Sequence, residues 1–233
     1  MGFSSSRQLQ RGEAGMIRQM VKIGMALLVG AGAVEAAPSA EKILQQVGAA
    51  FVGLNDCTAL LVAKVEAPDV VLPDTKLRFY YKRPNRTKLD VLENQLFLMP
   101  KGEALQVLLG FGDPTSQIRK NSRAEWIKTV PLNGRVNHVI KLVPQAANSP
   151  VRCYYVWIDA QRYTVSQLRL YPRAGGEWRI QVTHARVANR FWLPIQAVLV
   201  VTSAGTPPAT LTFTFRDYQI NTGLSEAIFR GQS

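Results

Sequence analysis

The chain has 233 residues and a formal net charge of +12, from 28 Lys and Arg against 16 Asp and Glu. That balance favours anionic partners, yet Lys64, Lys76, Lys101, Lys128, Arg162 and Arg190 are scattered, which reads as a solvated basic face and argues against nucleic acid. With two cysteines, two histidines and no cluster of ligating residues, neither a metal centre, nor a cofactor, nor a catalytic thiol with a nearby His is expected.

Residues 1–36 read as a secretory leader. Arg7, Arg11, Arg18 and Lys22 precede an apolar, Gly/Ala-rich run over 23–34, and Val34-Glu35-Ala36 offers a small-residue cleavage pattern before Ala37. The run is shorter than the roughly 20 apolar residues of a membrane span. Met16 or Met20 can serve as the start, and no Cys follows the apolar run to carry a lipid anchor. Residues 37–233 are then one exported domain, large enough for a real core, with a net charge of +10 once the leader's four basic and two acidic residues are gone.

Ser39 is a good N-cap, and Ile43, Leu44, Val47, Phe51 and Leu54 recur at three- and four-residue steps, which predicts a helix with one apolar stripe. Strands are predicted over 58–66, 77–83, 88–92 and 95–99, with Glu93-Asn94 as a tight hairpin between the last two. Residues 102–112 form a short apolar helical run bounded by glycines and stopped by Asp113-Pro114. Leu105, Leu108, Leu109 and Phe111 share its apolar face, in either a movable lid or an ordinary core helix.

The remainder is nearly all strand, over 124–130, 136–143, 152–159, 164–171, 178–186, 191–202 and 209–220. Asn133-Gly134, Gly175-Gly176 and Gly205-Thr206-Pro207-Pro208 are hairpin-type connections. About ten strands with few helices argue a mainly β, α+β fold built on one antiparallel sheet. The lack of βαβ alternation excludes a parallel nucleotide-binding sheet. Such a sheet, apolar on both faces in places, encloses either its own filled core or a concave apolar cavity.

The stretch 77–84 is the most informative. Leu77, Phe79 and Tyr81 alternate with Arg78, Tyr80 and Lys82, so one strand face carries three large apolar groups. Arg83 has the parity of the apolar set. It either aims its guanidinium along the dry face or bends out to solvent at the strand end, where Pro84 stops the ladder. In an oxidising compartment Cys57 and Cys153 form one disulfide or remain two buried free thiols.

Tyr81-Lys82-Arg83-Pro84-Asn85 resembles the Lys-Arg-Pro-Asn stretch of LolA, the periplasmic carrier of outer-membrane lipoproteins. Asp217-Tyr218-Gln219-Ile220-Asn221 with Ile228-Phe229 resembles the closing strand and final Phe of LolA-like proteins. Leu142-Val143-Pro144 and Val156-Trp157-Ile158-Asp159 look like strand ends common in that superfamily. The resemblance implies an incomplete antiparallel β-barrel (a half-barrel) with a helical lid, and a cavity that receives acyl chains. It implies a lining of Leu77, Phe79, Tyr81, Leu89 and Val91, with Leu105, Leu108 and Leu109 from the lid, and Arg83 as the group that holds the lid shut. The upstream aromatics and the loop over 68–73 depart from the family pattern.

A periplasmic carrier of lipoproteins or lipids is therefore expected. It would be a monomer that meets donor and acceptor proteins of a lipoprotein-sorting pathway and touches the membrane surface transiently. A sensor domain of the same fold for an envelope-stress partner is the alternative. An enzyme is not expected: no Ser-His-Asp order, close carboxylate pair or Gly-rich phosphate loop stands out.

Overall fold

Ser39 sits in extended backbone, and its Oγ accepts from the Lys42 N–H at 3.4 Å, so α1 (Ala40–Ala49) starts where a hydroxyl satisfies one orphan donor. The structure, a computed structural model, describes residues 38–68, 70–84, 86–94, 107, 109 and 111–230. The apolar stripe is as expected, but α1 stops at Ala49, and Phe51 and Leu54 are buried from the turns that follow.

The strands are β1 (Asp56–Ala67), β2 (Val70–Val71), β3 (Thr75–Lys82), β4 (Arg86–Glu93), β5 (Ser122–Leu132) and β6 (Arg135–Pro144). They continue with β7 (Val151–Asp159), β8 (Val165–Pro172), β9 (Glu177–Val187), β10 (Phe191–Ser203) and β11 (Thr206–Ile220). They pair antiparallel in the order β4-β3-β1-β11-β10-β9-β8-β7-β6-β5, and β2 pairs with the end of β1. β4 and β5 end the path without pairing to each other, so the sheet is an open half-barrel, as expected. Of the strand predicted over 95–99 and the helical run over 102–112, only Val107 and Leu109, both helical, and the non-helical Phe111 and Gly112 are described. No helix among the described residues is long and apolar enough to cross a membrane.

Local chemistry sets the hairpins. Asn133 (φ 51°) and Gly134 (φ 73°) occupy the two left-handed positions that a two-residue hairpin turn requires. Pro207 and Pro208 lie in β11 beyond the β1 ladder, beside a register shift against β10, where the missing N–H groups cost no ladder bond.

One face of the sheet carries a single apolar core: Leu61 and Ala63 of β1, Leu77, Phe79 and Tyr81 of β3, and the matching parity of β6 to β11. Helix α1 packs on it with Ile43, Leu44 and Val47. A five-residue helix that the sequence pattern did not reveal, α2 (Ser116–Lys120), follows Asp113 and Pro114. From it Arg119 donates to the Leu44 carbonyl at 2.9 Å and pairs with Asp113 at 3.3 Å, tying α1 to this segment.

The two ends of the described chain are stitched together. The Asp56 carboxylate accepts from the backbone N–H groups of Thr222 (2.8 Å), Gly223 (3.0 Å) and Leu224 (3.3 Å). The 3₁₀ helix Glu226–Phe229 is then held against β4 by Glu226, which pairs with Lys82 at 2.8 Å and with both terminal nitrogens of Arg86.

Candidate functional site

Three strands assemble the centre of the apolar face. In β3 the pattern of burial alternates strictly, leaving Leu77, Phe79 and Tyr81 at 1%, 0% and 3% exposure. Their cross-strand partners on β4 are Val91, Leu89 and Thr87, and on β1 they are Leu61, Ala59 and Cys57. Phe111 stands over this floor with its ring centroid 4.8 Å from Phe79, 5.0 Å from Tyr81 and 6.2 Å from Phe51. Leu109, also fully buried, belongs to the same cluster. Enclosure pushes the Tyr81 phenol up to about 12, against the opposing pull of Arg83.

The expected lining residues are thus divided. Leu77, Phe79, Tyr81 and Leu109 come together, Leu89 is half-buried at the margin, and Val91 is 51% exposed. Leu105 and Leu108 lie outside the described residues. The apolar face runs on past its cover: the row Tyr154, Leu170, Trp178 and Val201 continues across β7 to β10, and Trp178 is 42% exposed. Strand alternation alone singled out the β3 residues. It carried no sign that Phe111, from a connection, would be the group filling the space above them.

Arg83 does not continue β3. The strand ends at Lys82, and Arg83 begins a turn in which its backbone N–H donates to the Asn55 carbonyl at 2.9 Å while the side chain is exposed. Parity therefore no longer governs its direction. Its guanidinium has no hydrogen-bond or ion-pair partner among the described residues, and most of the segment read as a lid lies outside them.

Cys57 and Cys153 are free thiols, which corrects the disulfide alternative. Cys57 faces the core from β1. Cys153 faces the other side of the sheet from β7, five ladders away along the strand order. A bridge requires Cα atoms within about 7 Å and converging Cβ vectors, and opposite faces preclude that.

The histidines have separate surroundings. Nδ1 of His138 lies 3.1 Å from the Thr129 hydroxyl. His184 shares the parity of buried Val182, and its Nε2 is enclosed without a partner among the described residues. Burial first, and Arg162 second, lower its pKa to about 4, so the ring is neutral at physiological pH. Among the described residues no group of His, Cys, Asp and Glu is placed to hold a metal.

The face opposite the core carries a cleft of about 670 Å³ over β5 to β8, lined by Ile127, Lys128, Val139, Lys141, Val143, Arg152, Cys153, Tyr155, Trp157 and Tyr171. A second cleft of about 500 Å³ lies at the end of β1, beside Lys64, Glu66, Pro68, Leu72 and Pro208.

With this geometry in hand, the chain can be set beside known proteins. No family model matches it, and neither does any curated protein sequence. Solved structures do match. A domain from Vibrio parahaemolyticus that bears the name of an outer membrane lipoprotein-sorting protein aligns with a TM-score of 0.63 at 15% identity, covering 82% of this chain and 97% of that one. A LolA superfamily protein from Nitrosomonas europaea aligns with a TM-score of 0.58 at 9% identity, covering 83% of this chain and 98% of that one. A DUF1329 family protein from Desulfovibrio piger aligns at 0.60 and 10% identity, covering 82% and 96% respectively. The chain has a LolA-like fold.

Proposed function

We propose that this protein is an exported acyl-chain carrier, not an enzyme, which takes up lipid or lipoprotein tails on the core face of its half-barrel and passes them between donor and acceptor proteins in the periplasm. One observation carries the reading. The deepest part of the apolar face is covered by Leu109 and Phe111, which belong to a glycine-bounded connection and not to the sheet. Gly112 beside them has φ +69°, a backbone state open to glycine and rare for other residues. In the described conformation these two side chains fill the space themselves, and acyl chains enter when they withdraw.

The magnitudes suit exchange. A 16-carbon chain gains on the order of 10 kcal/mol gross on burial. Exposing one Leu and one Phe costs roughly 1.5–3 kcal/mol each, about 5 kcal/mol together. The difference, about 5 kcal/mol before other costs, corresponds to binding weaker than micromolar, from which a cargo can be handed on. One neighbour named for lipoprotein sorting and another named as a LolA superfamily protein support the same reading. Mass spectrometry of organic extracts from the purified protein tests it. Copurifying acyl lipid is expected, and its absence, with no uptake of a fluorescent fatty acid, refutes the carrier.

A further inference from the structure

The cleft on the other side of the sheet has a composition the carrier reading does not use. Residues facing outward from β6 to β9 stand in one cross-strand row: Lys141, Tyr155, Arg169 and Arg179. Three cations lie against rings in this region. Lys141 Nζ is 5.9 Å from the Tyr155 centroid, Arg152 Cζ is 5.8 Å from that of Tyr171, and Arg169 Cζ is 5.1 Å from that of Trp157. The rings in turn support one another, Tyr155 lying 5.9 Å from Tyr171 and 6.4 Å from Trp157.

Three cations that line the cleft are unpaired among the described residues. Arg169 pairs with Glu177 at 3.5 Å, but Lys128, Lys141 and Arg152 have no ion-pair partner among the described residues, although Glu125 stands across from Lys141 on β5. The Arg179 Nε–H is buried with no hydrogen-bond acceptor among them. We infer that this cleft binds the phosphate headgroup of an anionic lipid at a membrane surface, with Lys128, Lys141 and Arg152 contacting the phosphate and Tyr155, Trp157 and Tyr171 seated among the glycerol and upper acyl carbons.

Three features select that ligand. A volume of about 670 Å³ falls in the range of small-molecule sites. Long cationic side chains over Trp and Tyr rings present an apolar body with a charged tip, the combination suited to a membrane–water interface. The floor of the cleft is β6 and β7, inside the edge strand β5, and their backbone N–H and C=O groups are spent in ladders on both sides. An extended peptide would find no backbone partners on that floor, whereas a phosphate needs only the side-chain donors.

Flotation with phosphatidylcholine vesicles, with and without phosphatidylglycerol, tests the inference on the full exported chain. Binding is expected only with phosphatidylglycerol and should weaken as salt is raised. Each cation near an anionic surface contributes about fivefold, so Lys128→Gln/Lys141→Gln/Arg152→Gln should lose about a hundredfold. Lys64→Gln/Lys76→Gln/Arg216→Gln removes the same charge elsewhere and should lose far less. Equal loss in the two triple variants overturns the site, as does equal binding to neutral vesicles. Release by millimolar glycerol phosphate would assign the cleft to a soluble phosphate ester, and preferential capture of an acidic peptide would assign it to a protein; either result overturns the lipid headgroup. Fatty-acid uptake should be unchanged in the cleft variant, so failure here is distinguishable from failure of the carrier reading.

Discussion

Phe111→Ala separates a stopper from a structural core residue. The ring is fully buried against Phe79, Tyr81 and Phe51, at centroid distances of 4.8, 5.0 and 6.2 Å. Truncating such a residue costs about 3–5 kcal/mol, which includes the aromatic contacts worth roughly 0.5–1.5 kcal/mol each. In a domain of this size that lowers the Tm by about 6–20 °C, measurable by scanning calorimetry. If acyl chains must displace Phe111, the same truncation removes part of the cost of loading. Fatty-acid affinity should then rise by at least tenfold, since each 1.4 kcal/mol recovered is a factor of ten. A fluorescent fatty-acid titration at 25 °C reads it, with Phe111→Leu expected between the two. A variant that loses stability as stated but binds acyl probes no more tightly than wild type would show that Phe111 does not stand in the path of cargo.

Arg83→Leu should leave stability within about 0.5 kcal/mol, because the side chain is exposed and its backbone bond to Asn55 persists. It should slow cargo release to an acceptor, and an unchanged transfer rate removes Arg83 from the gate. His184 gives a pH signature: its folded pKa of about 4 is below the unfolded value near 6.5, so the unfolded state binds the extra proton between those limits. Its contribution is complete above pH 6.5 and is lost as pH falls toward 4, by up to about 3 kcal/mol, less where the ring edge remains hydrated. Urea titrations of wild type and His184→Gln should converge over that window. The Asp159 contribution fades lower still: against its own burial, Arg135 and the N–H groups of Arg162 and Gln161 hold this carboxylate below its ordinary value. Asp56→Ala should cost about 2 kcal/mol and speed amide exchange at Gly223 and Leu224, whose N–H groups lose their acceptor.

Much of the architecture was readable because its signals are local. Alternation placed the seven strands of the second half and the β3–β4 pair within a few residues, and Asn133-Gly134 located a hairpin by its φ requirement alone. The half-barrel itself came from resemblance, since alternation does not say which strands meet. Topology also explains the failures. Whether Cys57 and Cys153 approach depends on strand order and face, neither of which is encoded near either residue. Capture of Thr222, Gly223 and Leu224 by Asp56 spans more than 160 positions. At the site, β3 announced Leu77, Phe79 and Tyr81, and of the two directions left open for Arg83 the exposed one holds, because the strand ends at Lys82 and a turn begins at Arg83. The basic aromatic cleft escaped notice because its cations are distant in sequence, and only the register of β5 to β8 gathers them.

Strand β1 is flanked by β3 on one side and by β11 on the other, so Cys57 stands opposite Ile220. During synthesis β1 must therefore wait, one flank uncovered, until the distant residues of β11 emerge. Such long-range pairing places folding at the slow, aggregation-exposed end of the kinetic range. Any holding factor that accompanies the nascent polypeptide would be needed once β1 is made, and could be dismissed only when β11 has paired with it.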